Sequence, residues 1–343
     1  VIGWGGWAGF LAVVLGLLLL DLVFFHRRPH EITTRQAVAC SAVWIGLGLG
    51  FSLILWPTLG GEAVQSYLAG YLIEESLSID NLFVFVVIFA YFGIPARYQY
   101  RVLFFGVLGA FLFRGAFIAL GAALLARFSW IAFLFGAFLL FTAYRLATAR
   151  GDAVNPEDNR VLHLLRRYAP VTHDLHGQRF FARQDGGLAA TPLLAVLFVI
   201  ETTDILFAVD SIPAVFGVTR RTFIVFSSNA MALLGLRSLY FLVAHLVERF
   251  RFLDAGLSLV LGLIGAKLIY EELVHLHERG GVSWLPDALA VQIPTWAPLL
   301  LVAVVISSAA LASVLWPVPR GEESSAMPHP GHARGTSSCA PRD

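Results

Sequence analysis

Two stretches concentrate the residues able to do chemistry: YLIEESLSIDN at 71–81 and VIETTDILFAVDS at 199–211. The first holds Glu74, Glu75 and Asp80, and the second Glu201, Asp204 and Asp210. Both are otherwise apolar enough to lie inside a bilayer. One central charge costs about 2.5–3.5 kcal/mol on insertion scales, so six acting alone would cost roughly 15–20 kcal/mol. A folded chain is stable by only about 5–15 kcal/mol, so these groups must be paired, hydrated or neutralised. The plain structural reading pairs them with the buried bases Arg114, Arg237 and Lys267, with Lys267 placed to snorkel at an outer helix end. Three bases leave up to three acids over, and a proton or a divalent cation is the economical way to neutralise those.

Helical spacing decides which side chains can converge. Glu201 and Asp204 share a face with Ser211, and Glu74, Ser78 and Asn81 form a matching stripe. On regular helices Asp80 and Asp210 point away from these strips. Pro213 removes a backbone hydrogen bond and crowds the carbonyl of Val209, which either opens the turn holding Asp210 or merely kinks it. Carboxylate, amide and hydroxyl oxygens suit hard ions such as Mn²⁺, Ca²⁺ or Mg²⁺, whereas Zn²⁺ and Cu⁺ favour imidazole or sulfur. Asn229, beside Ser227 and Ser228, is a further neutral ligand or a helix–helix hydrogen-bonding group. The segment EELVHLH at 271–277 and the group His173, Asp174 and His176 read as polar rim and solvated loop.

The elements that must hold these groups follow from composition. The 343 residues are 58% hydrophobic and 14% charged, with mean hydropathy +0.75, too apolar for soluble domains of that length. A span needs about 20 mostly apolar residues. Such segments lie near 4–25, 36–56, 64–91, 102–125, 129–147, 191–216, 222–246, 252–273 and 296–316. The expected fold is therefore an all-α polytopic membrane protein of about nine transmembrane helices. The first segment lacks a positive leader and a cleavage motif, so it is expected to be a retained helix. Alternate loops hold fourteen Arg against four in the others, which predicts the N-terminus outside and the C-terminus in the cytoplasm. A net charge of +1 gives no reason to expect nucleic acid as a partner. Cys40 and Cys339 are too few and too far apart for a disulfide framework or zinc cluster.

Helices three to five resemble helices six to eight at a nearly constant offset. Asp80 and Phe83 fall 124 residues before Asp204 and Phe207, Arg114 falls 123 before Arg237, and Gly136 and Tyr144 fall 126 before Gly262 and Tyr270. Three spans per unit force the two copies to run oppositely, and inverted repeats in transporters place a site at the midplane between them. The expected organisation is a two-helix segment 1–63, repeats at 64–147 and 191–274, a cytoplasmic loop 148–190, an outer loop with the last helix at 275–317, and a disordered tail 318–343.

YLIEESLSIDNLFVF and VIETTDILFAVDSIPA, with the HGQRFFAR and ATPL stretches, resemble the TerC/Alx family of integral membrane proteins over about residues 8–316. The resemblance implies a multi-pass protein of the bacterial inner membrane concerned with metal-ion homeostasis, foremost Mn²⁺ efflux, with a historical link to tellurite resistance. It selects Glu74 with Asp80 and the trio Glu201, Asp204 and Asp210 as the metal-binding acids. Glu75 stands where some relatives carry a basic residue.

The expected activity is export of a divalent metal, Mn²⁺ ahead of Ca²⁺ or Mg²⁺, by alternating access, with no permanently bound cofactor and no enzymatic step. Mutual repulsion favours one crowded carboxylate keeping a proton, which makes metal/proton antiport a natural extension. The rival readings are an intramembrane aspartyl protease, which would use two acids sharing a proton but leaves three acids without a role, and a non-transporting assembly protein.

Overall fold

The computed structural model describes residues 3–25, 34–148, 177–184, 187–244, 252–278 and 293–315. The 149–176 part of the connecting loop, with His173, Asp174 and His176, and the tail beyond 315 lie outside the described residues. Nine helices run through the described residues: α1 Trp4–Phe25, α2 Thr34–Leu59, α3 Gly61–Tyr91, α4 Ala96–Arg127, α5 Ile131–Thr148, α6 Pro192–Phe216, α7 Thr222–Ala244, α8 Leu253–Glu278 and α9 Trp296–Leu315. A two-stranded hairpin, β1 Phe181–Gln184 and β2 Gly187–Ala190, precedes α6. Helices are forced on such a chain because hydrocarbon offers backbone N–H and C=O groups no partner.

Seven helices are long and apolar enough to cross a membrane. The others, α3 and α8, have 31 and 26 residues, enough length to span at 1.5 Å per residue. The acid-bearing α3 packs against α2, α6, α7 and α9. Exposed apolar residues such as Leu19, Leu53, Ile54, Val304 and Leu311 fall on α1, α2 and α9, the surface that lipid would cover. Two boundaries differ from expectation. α4 begins at Ala96, because Gly93 at φ +60° and Pro95 at the N-cap turn the chain straight out of α3. α8 continues to Glu278, so the EELVHLH stretch is its last two turns.

The hairpin is an element the sequence reading took for loop. The Thr191 hydroxyl donates to the Arg179 and Phe180 carbonyls at 2.7 and 3.1 Å. The Phe180 ring packs edge-on against Phe105 of α4, 5.2 Å between centroids.

Packing follows the repeat. α3 lies against α7 with residue numbers rising together, since Gly70 faces Ser228 and Gly235 faces Glu75. α4 lies the same way against α6, with Gly106 facing Ile200 and Gly121 facing Phe216. α5 and α8 instead cross head to tail, with Gly136 facing Ile269 and Gly262 facing Ala143. Exchanging α3–α5 for α6–α8 turns each of these contacts into another or into itself. A short connection at 217–221 reverses the chain between α6 and α7, so α3, parallel to α7, runs opposite to α6.

The α5–α8 crossing depends on two glycines. A Cβ at Gly136 would stand 2.9 Å from the Gly265 carbonyl oxygen, and one at Gly265 would stand 2.9 Å from the Gly136 oxygen. Backbone on both sides cannot yield as a flexible side chain can. Gly136→Ala should therefore destabilise the protein by about 1–3 kcal/mol, the usual cost of overpacking, read as a lower midpoint in a denaturant titration in detergent. An unchanged midpoint would mean the helices do not meet there.

Candidate metal centre

Arg114 sits near the middle of α4 and is 1% exposed. Its fork reaches the elements the repeat brings together. Nε and Nη2 donate to the two Asp204 carboxylate oxygens of α6 at 3.2 and 3.0 Å. Nη1 donates to the Ser211 hydroxyl at 3.3 Å and to the Asn229 amide oxygen of α7 at 3.2 Å, and it pairs with Glu74 of α3. Planar guanidinium matches carboxylate geometry in this two-point way. Glu74, Asp204, Ser211 and Asn229 are all buried.

Of the expected residues, these four and Arg114 form one constellation. Two carboxylates against one guanidinium leave one negative charge in a low-dielectric interior, where an uncompensated charge is expensive. Glu74 Oε2 has no hydrogen-bond partner, nor has the Ser78 hydroxyl or the Asn81 amide nitrogen, all buried further along the same α3 stripe. Orphaned buried polar atoms call for water or an ion. The Glu74 and Ser78 oxygens fit a hard cation, whereas the Asn81 amide N–H calls for an acceptor such as water. Beside Asp204 lies a small cavity of about 10 Å³, bounded by Phe85, Leu103, Ile200 and Leu236, enough for about one water molecule.

The remaining acids stand apart. Glu201 shares the helix face of Asp204 but lies against Gly109 of α4, where its carboxylate occupies the space a side chain would fill, and its Oε2 is buried without a partner. Asp210 accepts a hydrogen bond from the Thr142 hydroxyl of α5 at 3.2 Å. α6 runs unbroken past Pro213, so the proline does not carry Asp210 to Arg114. Asp80 is half-buried, away from Arg114, and makes contacts of its own. Among the described residues no three His, Cys, Asp or Glu side chains are grouped closely enough to hold a metal. The five acids therefore do not converge in this conformation: Glu74 and Asp204 meet at Arg114, Glu201 lies against α4, Asp210 against α5, and Asp80 makes contacts of its own.

Arg237, the repeat counterpart of Arg114, pairs with Asp21 of α1, a buried acid the sequence reading passed over, and its guanidinium lies 4.2 Å over the Tyr100 ring. Lys267 donates to the Gly217 carbonyl at 3.0 Å and pairs with Glu271 at 2.7 Å, so it caps the end of α6. Buried Glu272 accepts from Arg220 at 2.6 Å. Both pairs sit in roughly the last three turns of α8, close to the end of its expected apolar span.

The model of the integral membrane protein TerC family matches residues 59–317. The chain belongs to the TerC family of integral membrane proteins. It is 45% identical over 289 residues to the Myxococcus xanthus membrane protein STKORF319, covering 84% of this chain and 91% of that one. It is 44% identical over 279 residues to Alx of Escherichia coli K12, named as a candidate membrane-bound redox modulator, covering 79% and 87%. It is 41% identical over 242 residues to the Arabidopsis thaliana thylakoid membrane protein TERC, covering 71% and 63%. No solved structure matches it. The TerC segment contains Glu74, Arg114, Asp204, Ser211 and Asn229, whereas Asp21, the partner of Arg237, precedes it.

Proposed function

We propose that this TerC-family chain exports a divalent metal ion, Mn²⁺ in preference to Ca²⁺ or Mg²⁺, across the bacterial inner membrane, with its N-terminus outside and its C-terminus in the cytoplasm. One observation carries the reading: Glu74 and Asp204, from oppositely running helices of the two repeats, meet at a single buried guanidinium. Transporters built on inverted repeats place their sites at such a junction.

Arg114 acts in this reading as a tethered counter-cation. It neutralises the acid pair when no metal is held, and an arriving cation competes with it for Glu74 and Asp204. Ser211 and Asn229, now engaged by Arg114, and the unpartnered Ser78 hydroxyl would supply neutral oxygens, and the Asn81 amide oxygen on the same stripe would add another. Glu201, Asp80 and Asp210 lie on the same two helices and would serve as successive stations. An oxygen-only set disfavours Zn²⁺. A protease dyad needs two acids sharing a proton, whereas the two acids meeting here both face an arginine.

The test is reconstitution of the full chain into liposomes with Mn²⁺, Ca²⁺, Mg²⁺ and Zn²⁺ flux compared. Saturable Mn²⁺ movement exceeding that of Zn²⁺ is expected; vesicles no more permeable than protein-free ones to every ion would overturn the reading.

A further inference from the structure

We propose that the stretch 179–181, which opens the hairpin, and the first turns of α4 form a seat for the headgroup of an anionic phospholipid. Arg101 holds its phosphate, Arg97 and Arg179 add positive charge, and Phe181 enters the membrane beside it. The seat stands apart from the Arg114 centre and needs no transport.

Arg97, Arg101 and Phe105 follow one another at four-residue spacing and so lie along one stripe of α4. Two turns farther along that stripe Leu112 is 65% exposed, on the surface that lipid would cover. The hairpin segment docks on this stripe. The Phe180 ring meets Phe105 edge-on, and the Arg101 guanidinium lies 5.2 Å over the same Phe180 ring. At 1.5 Å per residue Phe105 stands about 14 Å from the start of α4, just inside the apolar stretch that opens near residue 102. The segment is therefore held where hydrocarbon gives way to headgroups. Buried Thr191 fixes it there through the Arg179 and Phe180 carbonyls. Phe180 is engaged inward, and its neighbour Phe181 is left 53% exposed beside the lipid-facing side of α4.

Positive charge at this end is unbalanced. Among the described residues none of Arg97, Arg101 and Arg179 enters an ion pair. Arg97 lies over the Tyr98 ring and Arg101 over that of Phe180. The Arg101 Nε is buried with no hydrogen-bond partner, and such a donor calls for an acceptor. Arg97 and Arg179 are exposed. At the opposite end, where α6 turns into α7, Arg220 and Arg221 are instead paired with Glu272 and Glu62.

A guanidinium fork matches two phosphate oxygens at once. An anionic lipid is the source of phosphate that also accounts for Phe181. Its headgroup lies level with Arg101, and its acyl chains begin where Phe105 and Phe181 stand. Free phosphate has no use for an exposed phenyl ring, and a soluble polyanion would have to displace lipid from α4 to reach it.

Native mass spectrometry of the full chain, released from detergent after titration with phosphatidylglycerol or phosphatidylcholine, tests the seat. The wild type should retain one phosphatidylglycerol at concentrations where phosphatidylcholine is lost. Arg101→Gln should weaken that retention about fivefold, the factor for one arginine at an anionic membrane surface, and R101Q/R179Q roughly 25-fold. Phe181→Ser should weaken it about fivefold through lost apolar contact. Arg101→Lys should keep part of the retention, since the charge survives without the fork, which separates a lost ligand from a misfolded chain. Arg127→Gln removes an exposed arginine at the far end of α4 and should change nothing. Equal retention of the two lipids by the wild type, undiminished retention in R101Q/R179Q, or an equal loss in Arg127→Gln would overturn the seat. Displacement of phosphatidylglycerol by inorganic phosphate would mark a free-phosphate site, and full retention in Phe181→Ser a polyanion site facing water; either would overturn the lipid assignment.

Discussion

Arg114→Ala should cost the folded protein about 3–5 kcal/mol, the range for breaking a buried ion pair from one side. That is a large part of the 5–15 kcal/mol typical of a whole fold. The reason is charge arithmetic. Glu74, Asp204 and Arg114 together carry one net negative charge, and deleting the guanidinium leaves two carboxylates that are at most 4% exposed with nothing opposite them. Ser211 and Asn229 also lose the donor at 3.3 and 3.2 Å that satisfies their oxygens. Loss of monodisperse protein in detergent, or a markedly lower unfolding midpoint, is the expected result. Arg114→Lys should recover only part of the loss, since an ammonium keeps the charge but not the fork. The triple variant E74Q/R114M/D204N should recover most of it, because a buried pair replaced wholly by neutral groups is often tolerated. If the triple variant is no more stable than Arg114→Ala, packing and not charge holds this junction together.

The existence and order of the helices were legible because each span repeats the same apolar pattern for about 20 residues. The pairing of the repeats was legible from Asp80, Arg114 and Gly136 recurring at a nearly constant offset of 123–126 residues. Periodicity gives a face, however, and not a direction within it. Glu201 and Asp204 share a helix face, yet residues three apart still point about 60° from one another. That difference sends Asp204 to Arg114 and Glu201 to Gly109, five residues away on α4. Asp21 was missed for a different reason. It lies late in an apolar run just before an Arg-rich loop, where an acid reads as a helix end facing water, and only the tertiary packing of α1 on α7 brings it to Arg237. Glu272 belongs to EELVHLH, which reads as a solvated polar rim, and only the approach of Arg220 from the α6–α7 connection shows that its carboxylate is buried. The hairpin at 181–190 carries too few residues for an alternation to be read.

Acid still outnumbers base within the helices that carry the site. The inner parts of α1, α3 and α6 hold Asp21, Glu74, Glu75, Asp80, Glu201, Asp204 and Asp210, against the two guanidiniums of Arg114 and Arg237. The sequence pointed to that surplus, and the structure divides it. Two acids share Arg114, one takes Arg237, one accepts from Thr142, Asp80 makes contacts of its own, and Glu75 and Glu201 keep buried oxygens without hydrogen bonds. Such a division suits sequential use of the carboxylates better than simultaneous ligation by all of them.

Asp204→Asn supplies the sharpest separation of function from fold. The substitution takes the Arg114 cluster from one net negative charge to zero, and Glu74 continues to hold the guanidinium. Stability should fall by no more than about 1.5–3 kcal/mol, the worth of a hydrogen bond to a charged group, so the variant should insert and purify normally. Mn²⁺ flux in liposomes should nevertheless drop at least roughly tenfold, since even outer partners of metal ligands cost 10–100-fold and a divalent ion would now meet one carboxylate where it needs two. Glu74→Gln should behave in the same way. The double variant E74Q/D204N should be far less stable than the two single losses added together, because it strands Arg114 without any anion, and that excess is the coupling a double-mutant cycle measures. Flux near the wild-type level in a well-folded Asp204→Asn would place the transport path away from Arg114, and additive stability losses in the cycle would show that Glu74 and Asp204 do not share one guanidinium.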